Sequence, residues 1–143
     1  METTKSARTV VRALERAAHL IGLALERDLA HLDLGQGEIH VLGLLYDGAP
    51  ESRVGDLHRR CGLRRSTLTG ILDRLESRAL VARELDRRDR RAFVVSLTPA
   101  GRRVASQVSA AVGELEDAIA DRVSPRDAEG LRRVLAALDA EAK

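Results

Sequence analysis

Between Ala79 and Thr98 the apolar residues change their spacing, and that change limits the fold more than any other feature of the chain. On either side of it, apolar positions recur every three or four residues, the spacing of a helix face. From Leu80 to Leu85, and again at Phe93, Val95 and Leu97, they alternate, the spacing of a strand. Two alternating runs around the hexapeptide Asp86 to Arg91 read as a β-hairpin. Its tip carries four arginines and two aspartates.

The helical runs divide at clear punctuation. Leu14, Ala18, Ile21, Leu25, Leu29 and Leu32 predict an amphipathic helix from about Ser6 to His31, ending before Asp33-Leu34-Gly35. Ile39, Val41, Leu42, Leu44 and Leu45 predict a buried helix, which Asp47-Gly48-Ala49-Pro50 breaks. Two short helices follow. Ser52 is placed to cap the first, whose inner face is Val54, Leu57 and Cys61. Gly62 suits a left-handed turn, and the second helix has Leu68, Ile71, Leu72 and Leu75 inside. Arg65, Ser66, Thr69, Gly70, Asp73 and Arg74 are left outside, and the pair reads as a helix-turn-helix.

After the hairpin, Thr98-Pro99 is a helix start with Thr as the cap and Pro at the first helical position. Val104, Val108, Ala111, Leu115 and Ile119 follow at close to a coiled-coil spacing. Ser124-Pro125-Arg126-Asp127 starts a last helix with face residues Leu131, Val134, Leu135 and Leu138. The fold class is mainly α with a small β-hairpin wing.

Composition excludes several functions. Aromatics are 1% of 143 residues, only Tyr46 and Phe93, which argues against a base-stacking platform. No apolar run approaches the roughly 20 residues that span a bilayer, and the N-terminal residues hold no hydrophobic signal segment. A lone cysteine, Cys61, allows no internal disulfide. The expectation is a soluble cytoplasmic protein with no membrane partner. Net charge is +2, but the segment from Arg53 to Arg103 holds 14 Arg against 6 acids, and the remainder 10 Lys+Arg against 16 acids. A basic middle between acidic ends suits a polyanionic partner, and a merely solvated charged surface is the plainer reading.

Several stretches carry a closer likeness. Val54-Gly-Asp-Leu57, Leu63-Arg-Arg-Ser-Thr-Leu-Thr-Gly-Ile-Leu-Asp-Arg-Leu-Glu76, Leu80-Val-Ala-Arg83, Asp89-Arg-Arg91 and Val95-Ser-Leu-Thr-Pro-Ala-Gly101 resemble the MarR family of bacterial transcription regulators. The similarity runs from about Leu34 to Gly101 and reaches the flanking helices only as pattern. It implies a homodimer with an N-terminal dimerisation helix (1–33), a winged helix-turn-helix (34–98) and C-terminal dimerisation helices (99–143). Its two lobes would read double-stranded DNA at a pseudo-palindromic operator, with half-sites about one helical turn apart.

The resemblance also implies site residues. The recognition helix would offer Arg64 and Arg65 to guanines, Ser66, Thr67 and Thr69 hydroxyls to bases or phosphates, and Arg74 to a phosphate. At the wing, Arg91 would enter the minor groove with Asp89 bracing its guanidinium, while Arg87, Arg88 and Arg90 face phosphates. Plainer roles are also open: Thr69 closing its helix, Asp73 pairing with an arginine, the tip a solvated turn. The sequence departs from the family at four places. Arg64 stands where a small capping residue is usual, Gly70 lies within a helix, Ala79 replaces a glycine before the wing, and Arg87 replaces a proline.

A small-molecule effector is expected near the junction of dimer and DNA-binding regions, bordered by Leu45, Tyr46 and the first helix. The expected function is a ligand-responsive repressor, not an enzyme, with no cofactor and no metal. His40 beside Glu38 lacks tight metal-ligand spacing, and no phosphate-binding loop or nucleophile elbow is present. Two alternatives come from other classes. One is a winged helix that docks on a protein without reading DNA; the other is a thiol sensor built on Cys61, against which stands its place on an inner helix face.

Overall fold

The computed structural model describes residues 9–142. Helix α1 (Val10–Asp28) continues through a single 3-10 turn (Ala30–Leu32) to Asp33 in the left-handed region; the expected start at Ser6 lies outside the described residues. Helix α2 (Gln36–Asp47) stops at Gly48. Helices α3 (Val54–Cys61) and α4 (Arg65–Ser77) are joined through Gly62 at φ +67°, as its sequence position suggests. Strands β2 (Val81–Leu85) and β3 (Phe93–Leu97) form the hairpin, and helices α5 (Pro99–Ala120) and α6 (Pro125–Glu141) complete the chain.

The chain divides into two compact units, one up to Ala111 and one from Val112. In the first, Val41, Leu42, Leu57, Leu68, Ile71, Leu72, Leu75, Val95 and Val108 are the most deeply buried side chains. The inner faces expected for α2, α3 and α4 therefore meet the sheet and the start of α5 as one aliphatic core, with Cys61 buried in it. In the second unit, Ser124 and Asp127 cap α6 reciprocally: the Ser124 Oγ accepts from the Asp127 N–H at 3.2 Å, and Asp127 Oδ2 from the Ser124 N–H at 2.8 Å. No described helix is long and apolar enough to cross a membrane.

The sheet has a third strand, β1 (Glu51–Arg53), in the order β1-β3-β2. This corrects the role expected of Ser52. It pairs with Val95 in the ladder and is buried, so its side chain faces inward and caps nothing. Arg53 takes the N-cap position of α3 without a side-chain cap.

The junction between α4 and the hairpin carries strain. The Leu80 N–H donates to Leu75 O and the Ala79 N–H to Glu76 O, both at 2.9 Å. That is the bond pattern of a Schellman motif, whose left-handed position is normally glycine. Here Ala79 occupies it at φ +56°. Its Cβ crowds the backbone there at a cost of about 1–2 kcal/mol, so Ala79→Gly is expected to stabilise the protein by about 1 kcal/mol. A urea titration checks this; an unchanged or lower midpoint would remove the strain from the account.

Candidate nucleic-acid interface

Helix α4 buries Leu68, Ile71, Leu72 and Leu75 and turns its other face to solvent. Arg64 is its N-cap and Arg65 its first residue, and no side chain caps the first turn, which agrees with the absence of a small capping residue there. Arg64, Arg65, Ser66, Thr67 and Thr69 are exposed. The Thr69 hydroxyl donates back to Arg65 O at 2.9 Å, so it helps to close its own helix.

Arg74 does not stand free. Its Nε donates to Glu38 Oε1 at 3.1 Å, and Arg78 approaches the same carboxylate at 3.7 Å. Glu38 is buried on α2, where an unpaired carboxylate would be costly. Arg78 also donates to the Leu32 and Asp33 carbonyls at 2.8 and 2.7 Å, fastening the end of α4 to the segment after α1. His40, the other member of the weighed metal pair, is bonded through Nε2 to the Cys61 carbonyl at 2.9 Å.

The two acids on α4 are engaged from the wing. Arg83 on β2 meets Glu76 Oε2 at 2.9 Å and Asp73 Oδ1 at 2.5 Å. Glu76 first, and Asp73 after it, push the Arg83 pKa further up, so the guanidinium of the bridge stays charged. Sequence reading proposed an arginine partner for Asp73 but not which one, because the pair is a tertiary contact between helix and strand.

At the hairpin tip the two aspartates behave alike. Asp86 Oδ1 accepts from the Arg88 N–H at 3.0 Å, and Asp89 Oδ1 from the Arg91 N–H at 3.1 Å. Each Asp-Arg-Arg triplet is thus an Asx-turn, an aspartate bonding the backbone two residues on. Asp89 thus holds the Arg91 backbone, and it forms no ion pair with a described guanidinium. Asp86 also meets Arg53 of β1 at 2.7 Å. The Arg88 N–H, chiefly, holds the Asp86 carboxyl below the usual carboxylate range; desolvation opposes it, and the Arg53 guanidinium adds to the lowering.

A clear asymmetry results. Each acid of α4 and of the tip, Asp73, Glu76, Asp86 and Asp89, is engaged by a group of the protein itself. Arg64, Arg65, Arg87, Arg88, Arg90 and Arg91 are exposed, and none forms an ion pair with a described residue. Two sets of exposed arginines without ion pairs lie on a helix and on a hairpin that Arg83 ties together.

The sequence profile of the MarR family matches residues 32–92, from the turn after α1 to the end of the hairpin tip. Over that segment the chain is similar to the MarR family. Solved MarR-family structures share the fold well beyond that segment. MepR of S. aureus in its DNA-binding conformation superposes with a TM-score of 0.83 at 20% identity, over 94% of this chain and 99% of that one. AbsC, a MarR family transcriptional regulator from Streptomyces coelicolor, gives 0.78 at 24% identity, over 99% and 95%. BpsR of Bordetella bronchiseptica, whose DNA binding is regulated by 6-hydroxynicotinic acid, gives 0.73 at 22% identity, over 92% and 98%. The chain thus has the fold of these regulators.

Proposed function

We propose that the chain is a DNA-binding transcription regulator that acts as a homodimer, represses from a pseudo-palindromic operator, and releases it when a small molecule binds. The observation that carries the reading is the placement of charge: six exposed arginines without ion-pair partners among the described residues, beside Asp73, Glu76, Asp86 and Asp89, each engaged within the protein. A surface that is only solvated has no reason to divide its charges so. A polyanion supplies the missing partners, and releasing its own counter-ions favours the complex. On this reading α4 lies in the major groove with Arg64 and Arg65 on guanine edges, while Ser66 and Thr67 meet bases or backbone. The tip lies in the adjacent minor groove, with Arg91 deepest and Arg87, Arg88 and Arg90 on phosphates. Arg74, already held by Glu38, reaches a phosphate only by exchanging partners.

The terminal segments, 1–33 and 99–143, are read as dimerisation helices. Leu20, Ile21 and Leu23 on α1 and Leu131, Leu135 and Leu138 on α6 are all exposed in the single chain. Apolar residues repeated along a helix but left uncovered suit an interface between copies. The effector reading rests on the regulated fold relative and on the half-buried Tyr46, whose ring lies 5.8 Å under the Arg102 guanidinium.

The direct test is a salt titration of binding to the intergenic DNA upstream of the gene. Specific binding should weaken steeply with salt. Arg91→Ala should cost roughly 1–3 kcal/mol of affinity and make the salt dependence shallower. Absence of sequence preference even at low salt would remove the regulator reading and favour a protein-docking module.

A further inference from the structure

The hairpin carries an apolar pair that the arginines do not account for. Leu85 and Phe93 are direct cross-strand partners at the outer ends of β2 and β3, immediately flanking the charged tip. Strand alternation puts them on the same sheet face as Val81, Arg83, Val95 and Leu97. That face is the inner one: Val81 and Val95 are buried, and Arg83 reaches α4 from it. Past Arg83, however, the face is uncovered. Leu85 is 51% and Phe93 52% exposed. Phe93 is the only phenylalanine in the chain and one of two aromatic residues.

An exposed apolar pair next to a hairpin tip invites several occupants, and charge selects among them. Arg87, Arg88, Arg90 and Arg91 lie directly beyond the pair without ion-pair partners, so whatever lies against the pair must also be strongly anionic. An apolar protein surface leaves those arginines unmatched. Nucleic acid offers both properties at one place, because a minor groove is walled by the carbon faces of deoxyribose rings strung between phosphates. An inner face that continues from the recognition helix toward the tip is directed at the sugar-phosphate ridge between the two grooves.

We infer that Leu85 and Phe93 form an apolar rest for the deoxyribose wall of the groove that the arginine tip enters, setting how deep the tip sits. This rests on the DNA-binding reading proposed above. It predicts a contact that strengthens binding without displacing cations. Phe93→Ala should weaken specific binding about tenfold, the loss of several tens of Å² of apolar contact. Because no phosphate is released, the slope of log affinity against log salt should stay that of the parent, whereas Arg91→Ala makes it shallower by up to about 0.9. Phe93→Leu, which keeps the apolar bulk, should restore most of the affinity, and Leu85→Ala should reproduce the loss in part. Circular dichroism and thermal melting of each variant separate these effects from misfolding.

The outcomes divide cleanly. If Arg91→Ala weakens binding and Phe93→Ala and Leu85→Ala do not, the apolar rest is wrong and the regulator reading stands. If the parent shows no specific binding, both fall together. If Phe93→Ala alters sedimentation and leaves DNA affinity unchanged, the pair covers another protein copy and the inference is overturned. A shallower salt slope in Phe93→Ala would also overturn it, since the residue would then be acting through the arginines.

Discussion

Gly101→Ala should cost the protein about 4 kcal/mol or more, in the range that only a few mechanisms reach. The hairpin and α5 meet at that residue with no spare room. The Thr98 N–H donates to Leu80 O at 3.1 Å. The Thr98 hydroxyl donates to Ala79 O at 2.6 Å and accepts from the Gly101 N–H at 3.0 Å. The first turn of α5 is thereby drawn onto the hairpin root, and a Cβ on Gly101 would lie 1.7 Å from Leu80 O. The obstacle is backbone, not a side-chain end that can swing aside. Accommodating the methyl group means separating helix from hairpin and losing these bonds together. Urea unfolding at fixed protein concentration, followed by helical circular dichroism, is the check; a variant within about 1 kcal/mol of the parent would refute the close approach.

The second large effect concerns recognition. Replacing both Arg64 and Arg65 by alanine should lower specific DNA affinity at least about thirtyfold, from roughly 1–3 kcal/mol for each base-reading arginine. Folding should change little. Both residues are exposed and the Arg64 side chain caps nothing, so stability should stay within about 0.5 kcal/mol of the parent. The diagnostic measurement uses operators with single base-pair changes. The parent should lose affinity at the positions the arginines read, and the double variant should be indifferent to them. If both proteins respond alike to every base change, these arginines do not read sequence.

The periodic parts of the fold were legible because each helix inside the core, and each arm of the hairpin, repeats its apolar residues at the spacing its backbone requires. Strand β1 was not legible: Glu51, Ser52 and Arg53 are polar, and three residues give alternation no room to show. Ser52 accordingly looked like a cap. The first helix misled in another way, since its repeat predicts one inner face and Ile21 on that face is exposed. A repeat records that a residue is to be covered, not which molecule covers it.

At the site, the exposed arginines could be read from sequence and their partners could not. Arg74 and Glu38 are 36 positions apart, and Arg83 finds Asp73 and Glu76 only once the strand lies on the helix. The roles of Asp86 and Asp89 were hidden for a different reason. An aspartate two residues before an arginine satisfies both an ion-pair reading and an Asx-turn reading, and only geometry separates them. The doubled Asp-Arg-Arg triplet was the signal available for the turn.

Those two turns have a consequence for how such a protein can change over generations. The shape of the tip depends on the aspartates and the backbone, whereas the side chains of Arg87, Arg88, Arg90 and Arg91 take no part in holding it. Mutation can therefore exchange the groups that the tip presents one at a time, with the loop beneath them left intact. On the proposed reading, a lineage could retune its operator preference at these positions without passing through unfolded intermediates, while a change at either aspartate would alter the form of the loop itself.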